Sequence, residues 1–211
     1  MNLEGAVVIV TGSATGLGAA VAQRLASKGA NVVINYTKSQ AEAEASAAAC
    51  EKLGTEALLC RANVADDADC RRMAEAAVEK WGRVDGLVNN AALAKIAPHA
   101  DLEALTGQDF LDIFAVNVVG PYQMVRAVAP HMKKLGKGAV VNVSSLSGMS
   151  GSGSSIAYAA SKAALNTMTL SLARALAPEI RVNAVCPGVM QTRWWREGLG
   201  EERYTEFIDR Y

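Results

Sequence analysis

The chain has 211 residues, of which 51% are hydrophobic and 5% aromatic, and a formal net charge of +0. That length suits one domain, 1–211, with a core built from Ala, Val, Leu and Ile rather than from rings. The balanced charge gives no basic patch for nucleic acid, no apolar run reaches the ~18 residues of a membrane span, and the start MNLEGAVVIV lacks a secretory leader's basic region and cleavage motif, so a cytoplasmic protein with no membrane partner is expected.

In chain order, AVVIVT (6–11) is rich in β-branched residues and stops at Gly12, which reads as a strand. GLGAAVAQRLASKG (16–29) follows with apolar residues at helical spacing. NVVINY (31–36) is a second strand, and 39–54 a helix opened by a Ser39 cap and closed by Gly54. EALLCR (56–61) is a third strand. DDADCRRMAEAAVEKWG (66–82) is a helix with acids in its first turn and a lysine in its last, as its dipole favours. VDGLVNN (84–90) is a fourth strand. A long helical region, 101–135, should kink or restart near Gly120 and Pro121. GAVVNVSS (138–145) is a fifth strand, 157–177 a helix ended by Pro178, and IRVNAVCPG (180–188) a sixth strand, before a polar and aromatic tail.

Short apolar strands alternating with helices predict an α/β fold with a doubly wound parallel sheet between two helical layers. Such sheets place ligands at the carboxyl ends of their strands, beside the switch in strand order. The four cysteines, Cys50, Cys60, Cys70 and Cys186, form no CxxC pair and have neither His99 nor His131 nearby, so reduced thiols and no metal are expected.

The first strand runs into TGSATGLG (11–18), where Gly12, Gly16 and Gly18 are spaced GxxxGxG. Glycines here let a pyrophosphate approach the backbone of Ser13, Thr15 and Leu17, at the N–H-rich start of a helix. A plain tight strand–helix turn would look the same. The second strand ends in Tyr36, Thr37, Lys38 and Ser39 with no carboxylate. An acid there would bind the ribose hydroxyls of NAD; its absence, with Lys38 and two hydroxyls present, favours NADP(H) over NAD(H).

TGSATGLG, NNAA (89–92), the Asn of NVVG (117–120), NVSS (142–145), YAASK (158–162) and PGVMQT (187–192) occur in this order. Together they resemble the short-chain dehydrogenase/reductase family over residues 5 to 192. Within it, VVINYTKS is similar to the second strand of NADP-dependent reductases, including 3-oxoacyl-carrier-protein reductases and polyhydroxynaphthalene reductases. The resemblance implies a Rossmann fold and a hydride transfer between NADP(H) and a ketone or secondary alcohol. It implies Tyr158 as acid/base, Lys162 as its partner and a ribose contact, Ser145 as the substrate-orienting serine, and Asn117 as holder of a relay water. It implies adenine contacts at Asn63 and Val64, cofactor contacts at Asn90, Ala91 and Ala92, and nicotinamide-side contacts at Pro187, Gly188, Val189 and Thr192. Ala92 stands where the family usually has glycine, Asn63 where it commonly has Asp, and Thr15 where NADP-dependent members often have a basic residue. The family also continues for about 40 residues, so a truncated chain lacking the usual last strand is expected, and a homo-oligomer, tetramer or dimer.

Chemically, a free phenol with its pKa of about 10 is a poor acid/base near neutrality. Residues four apart share a helix face, and an ammonium there lowers a phenol's pKa. A plain surface pair is the alternative for Tyr158 and Lys162, and a non-catalytic, redox-sensing dinucleotide binder the alternative for the whole chain. Trp194 and Trp195 would wall an apolar substrate or pack on a neighbouring subunit; Lys133 and Lys134 would meet an acyl-carrier protein or simply close a helix.

Overall fold

A computed structural model describes residues 2–190, 200 and 204–205. Six strands form one parallel sheet: β1 (Val7–Val10), β2 (Asn31–Tyr36), β3 (Ala57–Arg61), β4 (Gly86–Asn89), β5 (Gly138–Val143) and β6 (Ile180–Val185). Their order is β3-β2-β1-β4-β5-β6, so the direction of winding reverses between β1 and β4.

The inner strands β1, β2 and β4 bury both faces, the edge strands β3 and β6 leave alternate side chains exposed, and the two-residue period sorts the side chains. Val7, Ile9, Val33 and Leu87 join one core with Met73 and Ala77 of α3 (Asp67–Trp81) and Met124 and Val128 of α5 (Gly120–Lys134). Val8, Val10, Val32 and Ile34 join the other with Ala22 and Ala26 of α1 (Gly16–Ala26) and Ala43, Ala47 and Cys50 of α2 (Gln40–Glu51). Small alanines on α1 and α2 let those helices lie close to the sheet without rings.

The helix ends follow local chemistry. Asp66 caps α3 by accepting from Asp69 N at 3.0 Å, and Gly82, at φ +72, ends it with an N–H donated to Val78 O at 2.7 Å. Ser39 precedes α2 as expected, but its side chain makes no capping bond. The 101–135 region divides differently from expectation. A 3₁₀ turn (Leu102–Ala104) leads to α4 (Gly107–Phe114), which Thr106 and Asp109 start with reciprocal capping bonds. A π-helical turn (Ala115–Val119) then joins α4 to α5 without a break. The irregularity is a widened turn before Gly120; Pro121 sits in the first turn of α5, where its missing N–H costs nothing.

Strands β4, β5 and β6 stop one, two and three residues before the expected limits at 90, 145 and 188. Asn90, Ser144, Ser145, Cys186 and Pro187 therefore lie in loops beyond the strand ends, not on the strands. Short α6 (Ser147–Ser150) and long α7 (Ile156–Leu176) complete the fold, α7 lying against β6, α4 and the π turn and packing Leu172 and Leu176 on the core. Among the described residues no helix is long and apolar enough to cross a membrane, no cluster could hold a metal, and all four cysteines are free thiols.

Candidate active site

The carboxyl ends of the strands open into one cleft of about 1280 Å³. This exceeds the ~300–1,000 Å³ of a single small-ligand pocket and leaves room for two molecules.

At the switch point, Gly12 has φ +61, and a Cβ on it would lie 2.9 Å from Ala91 Cα, so only glycine fits. Its N–H donates to Asn35 Oδ1 at 3.0 Å. Thr15 precedes α1 without a side-chain cap, leaving the first-turn N–H groups of α1 to face the cleft beside Gly16, Leu17 and Gly18. A Cβ on Gly18 would come within 2.6 Å of Asn90 Nδ2. Asn90 staples the two loops together: its Nδ2 donates to Thr11 O at 2.9 Å and Gly12 O at 3.0 Å, while Thr11 Oγ1 accepts from Asn90 N and Ala91 N at 2.9 and 3.0 Å. This open cradle of glycines and helix N–H groups fits a pyrophosphate. Ser13 lies outside the cleft; buried, its Oγ donates to Val10 O at 2.7 Å and accepts from Asn35 N at 2.9 Å, joining β1 to β2. Ala92 lines the cleft with no backbone penalty, because no non-glycine residue among those described has a positive φ.

At the β2–β3 end, Tyr36, Thr37, Asn63 and Val64 line the cleft, whereas Lys38 and Ser39 do not. Arg61 Nε donates to Thr37 O at 3.2 Å, which puts a guanidinium beside the end of β2, where no β2 residue is acidic; on the β3 side Asp69 Oδ2 accepts from Asn63 N at 2.7 Å.

The opposite end carries Ser145, Tyr158 and Lys162. Ser155 caps α7 by accepting from Tyr158 N at 3.3 Å, which fixes the first turn that presents the phenol. Burial pushes the Tyr158 phenol up from its ordinary value, and a hydrogen bond with Ser145 acts the other way. Lys162 is 2% exposed and donates from Nζ to Val143 O at 2.7 Å; burial lowers its pKa to about 8, against a smaller upward pull from Cys186. The expected lowering of the phenol by the ammonium is thus not the dominant effect in this geometry. Ser144 also lines the cleft, but its Oγ is committed to the α7 backbone, donating to Lys162 O at 3.1 Å.

Asn117, fully buried in the π turn, does not line the cleft. Its Oδ1 accepts from Leu93 N at 2.8 Å, and its Nδ2 donates to Leu93 O at 2.9 Å and to Ser161 Oγ at 3.0 Å. Ser161 Oγ in turn donates to Tyr158 O at 2.7 Å. The side chain thereby ties the loop after β4 to the turn of α7 that carries the phenol. Pro187, Gly188 and Val189 line the cleft; Thr192, Trp194 and Trp195 lie outside the described residues.

Asn35, Thr11, Arg61, His99 and Ser154 were not singled out from sequence. Asn35 alone left a signal, a polar residue ending a strand otherwise apolar on both faces.

The family model described as short chain dehydrogenase matches residues 6–202. The chain is 46% identical over 191 residues to a Streptomyces violaceoruber protein named "granaticin polyketide synthase putative ketoacyl reductase 2", covering 90% of this chain and 75% of that one. It is 33% identical over 207 residues to a 3-oxoacyl-[acyl-carrier-protein] reductase of Synechocystis, covering 98% and 82%. Among solved structures, NAD⁺-bound xylitol dehydrogenase superposes with a TM-score of 0.87 at 30% identity, covering 93% of this chain and 76% of that one.

Proposed function

The chain belongs to the short chain dehydrogenase family, an enzyme family of alcohol and carbonyl oxidoreductions, and from that premise we propose that it is an NADP(H)-dependent ketone reductase of the 3-oxoacyl type. The observation that carries the reading is the meeting of Ser145, Tyr158 and Lys162 in one cleft with the glycine cradle of Gly12, Gly16 and Gly18.

The cradle and the α1 N–H groups would hold the pyrophosphate, Asn63 and Val64 the adenine, and Pro187, Gly188 and Val189 the nicotinamide end. The end of β2 at Tyr36 and Thr37, where no β2 residue is acidic and Arg61 lies alongside, supports a 2′-phosphate and hence NADP(H). When bound, the dinucleotide supplies the hydride chemistry. Ser145 Oγ donates a hydrogen bond to the substrate's carbonyl oxygen, where negative charge develops. Tyr158 Oη gives that oxygen its proton in reduction and takes it back in oxidation. Lys162, held at Val143 O, keeps positive charge near the phenol and favours the phenolate left behind. Asn117 holds the wall of the cleft through Leu93 and the phenol's helical turn through Ser161. Ketoacyl reductase relatives support a 3-oxoacyl substrate over a polyol, as do the apolar side chains of Leu93, Ile96, Ala97, Leu146 and Met149 that line the cleft.

The test is carbonyl-dependent NADPH consumption over a ketone panel, with Tyr158→Phe as control. Turnover in the parent and its loss in the variant, with NADPH binding kept, is expected. NADPH binding without any turnover, unaltered by Tyr158→Phe, overturns the reading.

A further inference from the structure

Residues 142, 143 and 144, at and just past the end of β5, each hold α7. Asn142 Nδ2 donates to Thr169 Oγ1 at 2.9 Å, Val143 O accepts from Lys162 Nζ at 2.7 Å, and Ser144 Oγ donates to Lys162 O at 3.1 Å. Val143, Ser144 and Lys162 line the cleft, whereas Asn142 and Thr169 do not. They lie in the core, Asn142 at 0% and Thr169 at 5% exposure. Asn142 Oδ1 also accepts from Nδ2 of Asn89, its register partner on β4, at 2.9 Å. Thr169 Oγ1 gives its own proton to Leu165 O, one turn back, at 2.8 Å. A continuous polar chain thus runs from β4 through β5 into α7, on the sheet face where Leu87 and Val140 join the apolar core.

Such a chain is unfavourable as a packing solution. Its amides and hydroxyl give up water, and apolar groups of the same shape would leave nothing to satisfy. What apolar groups would not supply is a single register. Apolar contact tolerates a helix that slides or turns slightly, whereas the amide of Asn142 meets Thr169 Oγ1 at one height and one rotation. Thr169 and Lys162 are seven residues apart, on one face of α7 and about 10 Å apart along its axis. Thr169 is a short side chain and Lys162 a long one. The short contact at Asn142 sets where the helix stands, and the long arm reaches Val143 O from there.

We propose that Asn142 and Thr169 are positioning residues for the reduction: their bond fixes the height and rotation of α7 on β5, and so places Lys162 and Tyr158 against the cofactor cradle. This rests on the ketone-reductase reading, in which those two side chains carry the proton chemistry.

The test is Thr169→Val, which keeps the shape of the side chain and removes the acceptor. NADPH-binding sites are counted by fluorescence titration. The kcat is then taken per site at saturating NADPH, with the ketone of the panel that the parent reduces fastest, so that any loss of folded protein cancels. The kcat per site is expected to fall about tenfold, the scale of one hydrogen bond to a buried group, with KM for the ketone within about twofold of the parent. Thr169→Ser, which keeps the hydroxyl, should stay within about threefold of the parent, and Leu176→Ala, which removes packing from the same helix and leaves the bond alone, within about twofold. Thr169→Ala replaces Thr169→Val if the latter yields no NADPH-binding sites. A fall of less than about threefold without the hydroxyl overturns the positioning role. So does a change confined to KM, a loss that Thr169→Ser shares in full, or a loss that Leu176→Ala matches. Absence of NADPH-binding sites in Thr169→Val and Thr169→Ala alike overturns it too, since the bond then serves folding and not placement. A parent that binds NADPH and reduces no ketone overturns the reductase reading, and the positioning role with it.

Discussion

Lys162 reaches Tyr158 across one helical turn, its Nζ 5.5 Å from the centroid of the phenol ring, yet gives its short hydrogen bond to Val143 O at 2.7 Å. The lysine is anchored to the end of β5 and acts on the tyrosine through space. The anchor fixes where the positive charge sits, so the pair depends on the sheet as much as on the helix.

Burial of Lys162 has a measurable sign. Its pKa falls from 10.5 to about 8 because the charged form is desolvated. The unfolded chain binds that proton more tightly, so this group lowers stability below pH 8 and the loss fades as pH rises from about 8 to 10.5. The difference, 10.5 − 8, corresponds to at most about 3–4 kcal/mol. Lys162→Met should therefore lose ketone reduction by at least about a hundredfold, while its melting temperature relative to the parent declines as pH is raised from 7 to 10. Thermal scans of both proteins at several pH values would show a constant gap if the lysine were not desolvated.

Asn117 makes three side-chain bonds within the fold, two of them to Leu93. Asn117→Ala leaves a buried N–H and carbonyl unmet, which costs about 2–3 kcal/mol. Asn117→Asp should be no milder, since a carboxylate cannot donate to Leu93 O or Ser161 Oγ. Urea unfolding measures the loss, and a variant within about 0.5 kcal/mol of the parent would contradict the clamp.

Gly18→Ala offers a case in which propensity and packing oppose each other. Alanine at a helical position ordinarily stabilises by about 1 kcal/mol. Here its methyl would meet Asn90 Nδ2 at 2.6 Å and Ser13 Cα at 2.9 Å. We expect net destabilisation of about 1–3 kcal/mol and NADPH binding weakened by roughly tenfold or more, read by cofactor fluorescence titration. A stabilised protein with unaltered binding would show that the loop can yield.

Arg61 lies beside Thr37, at the end of β2, where no β2 residue is acidic. Arg61→Ala should raise the ratio of KM for NADPH to KM for NADH by about five- to tenfold, an effect that weakens at high salt because the charge is exposed. An unaltered ratio would remove the guanidinium from cofactor selection.

Much of this was readable from the amino-acid order. The second strand's limits, 31–36, coincide with the apolar run, and α7 begins and ends within one residue of expectation. Periodicity carries such elements because burial on both faces leaves little choice of residue. The π turn was not readable: AVNVV has ordinary helical composition, and nothing local marks the wider turn. Arg61 could be assigned to the cofactor corner only through the pairing that sets Tyr36 against Arg61. Ala97 stands in a loop without periodicity, and only the bond from its N–H to Ser154 O brings that loop against the 147–154 segment. Ser13 was read as a ligand contact because its neighbours are; its hydroxyl turns inward, a matter of one rotamer.

The wide turn at 115–119 also sets a phase. Each residue advances a helix by about 100°, so one added position rotates everything after it relative to everything before. Ile113 ahead of the turn and Met124 behind it are both sealed from water, at 1% and 0% exposure. Shortening the turn by one residue would restore uniform pitch and put the two out of step. One would keep its place in the core while the other swung toward solvent, and Asn117 would leave Leu93. The helix works here as two screws joined with an offset, and that offset lets one continuous rod both seal the core and reach the wall of the cleft.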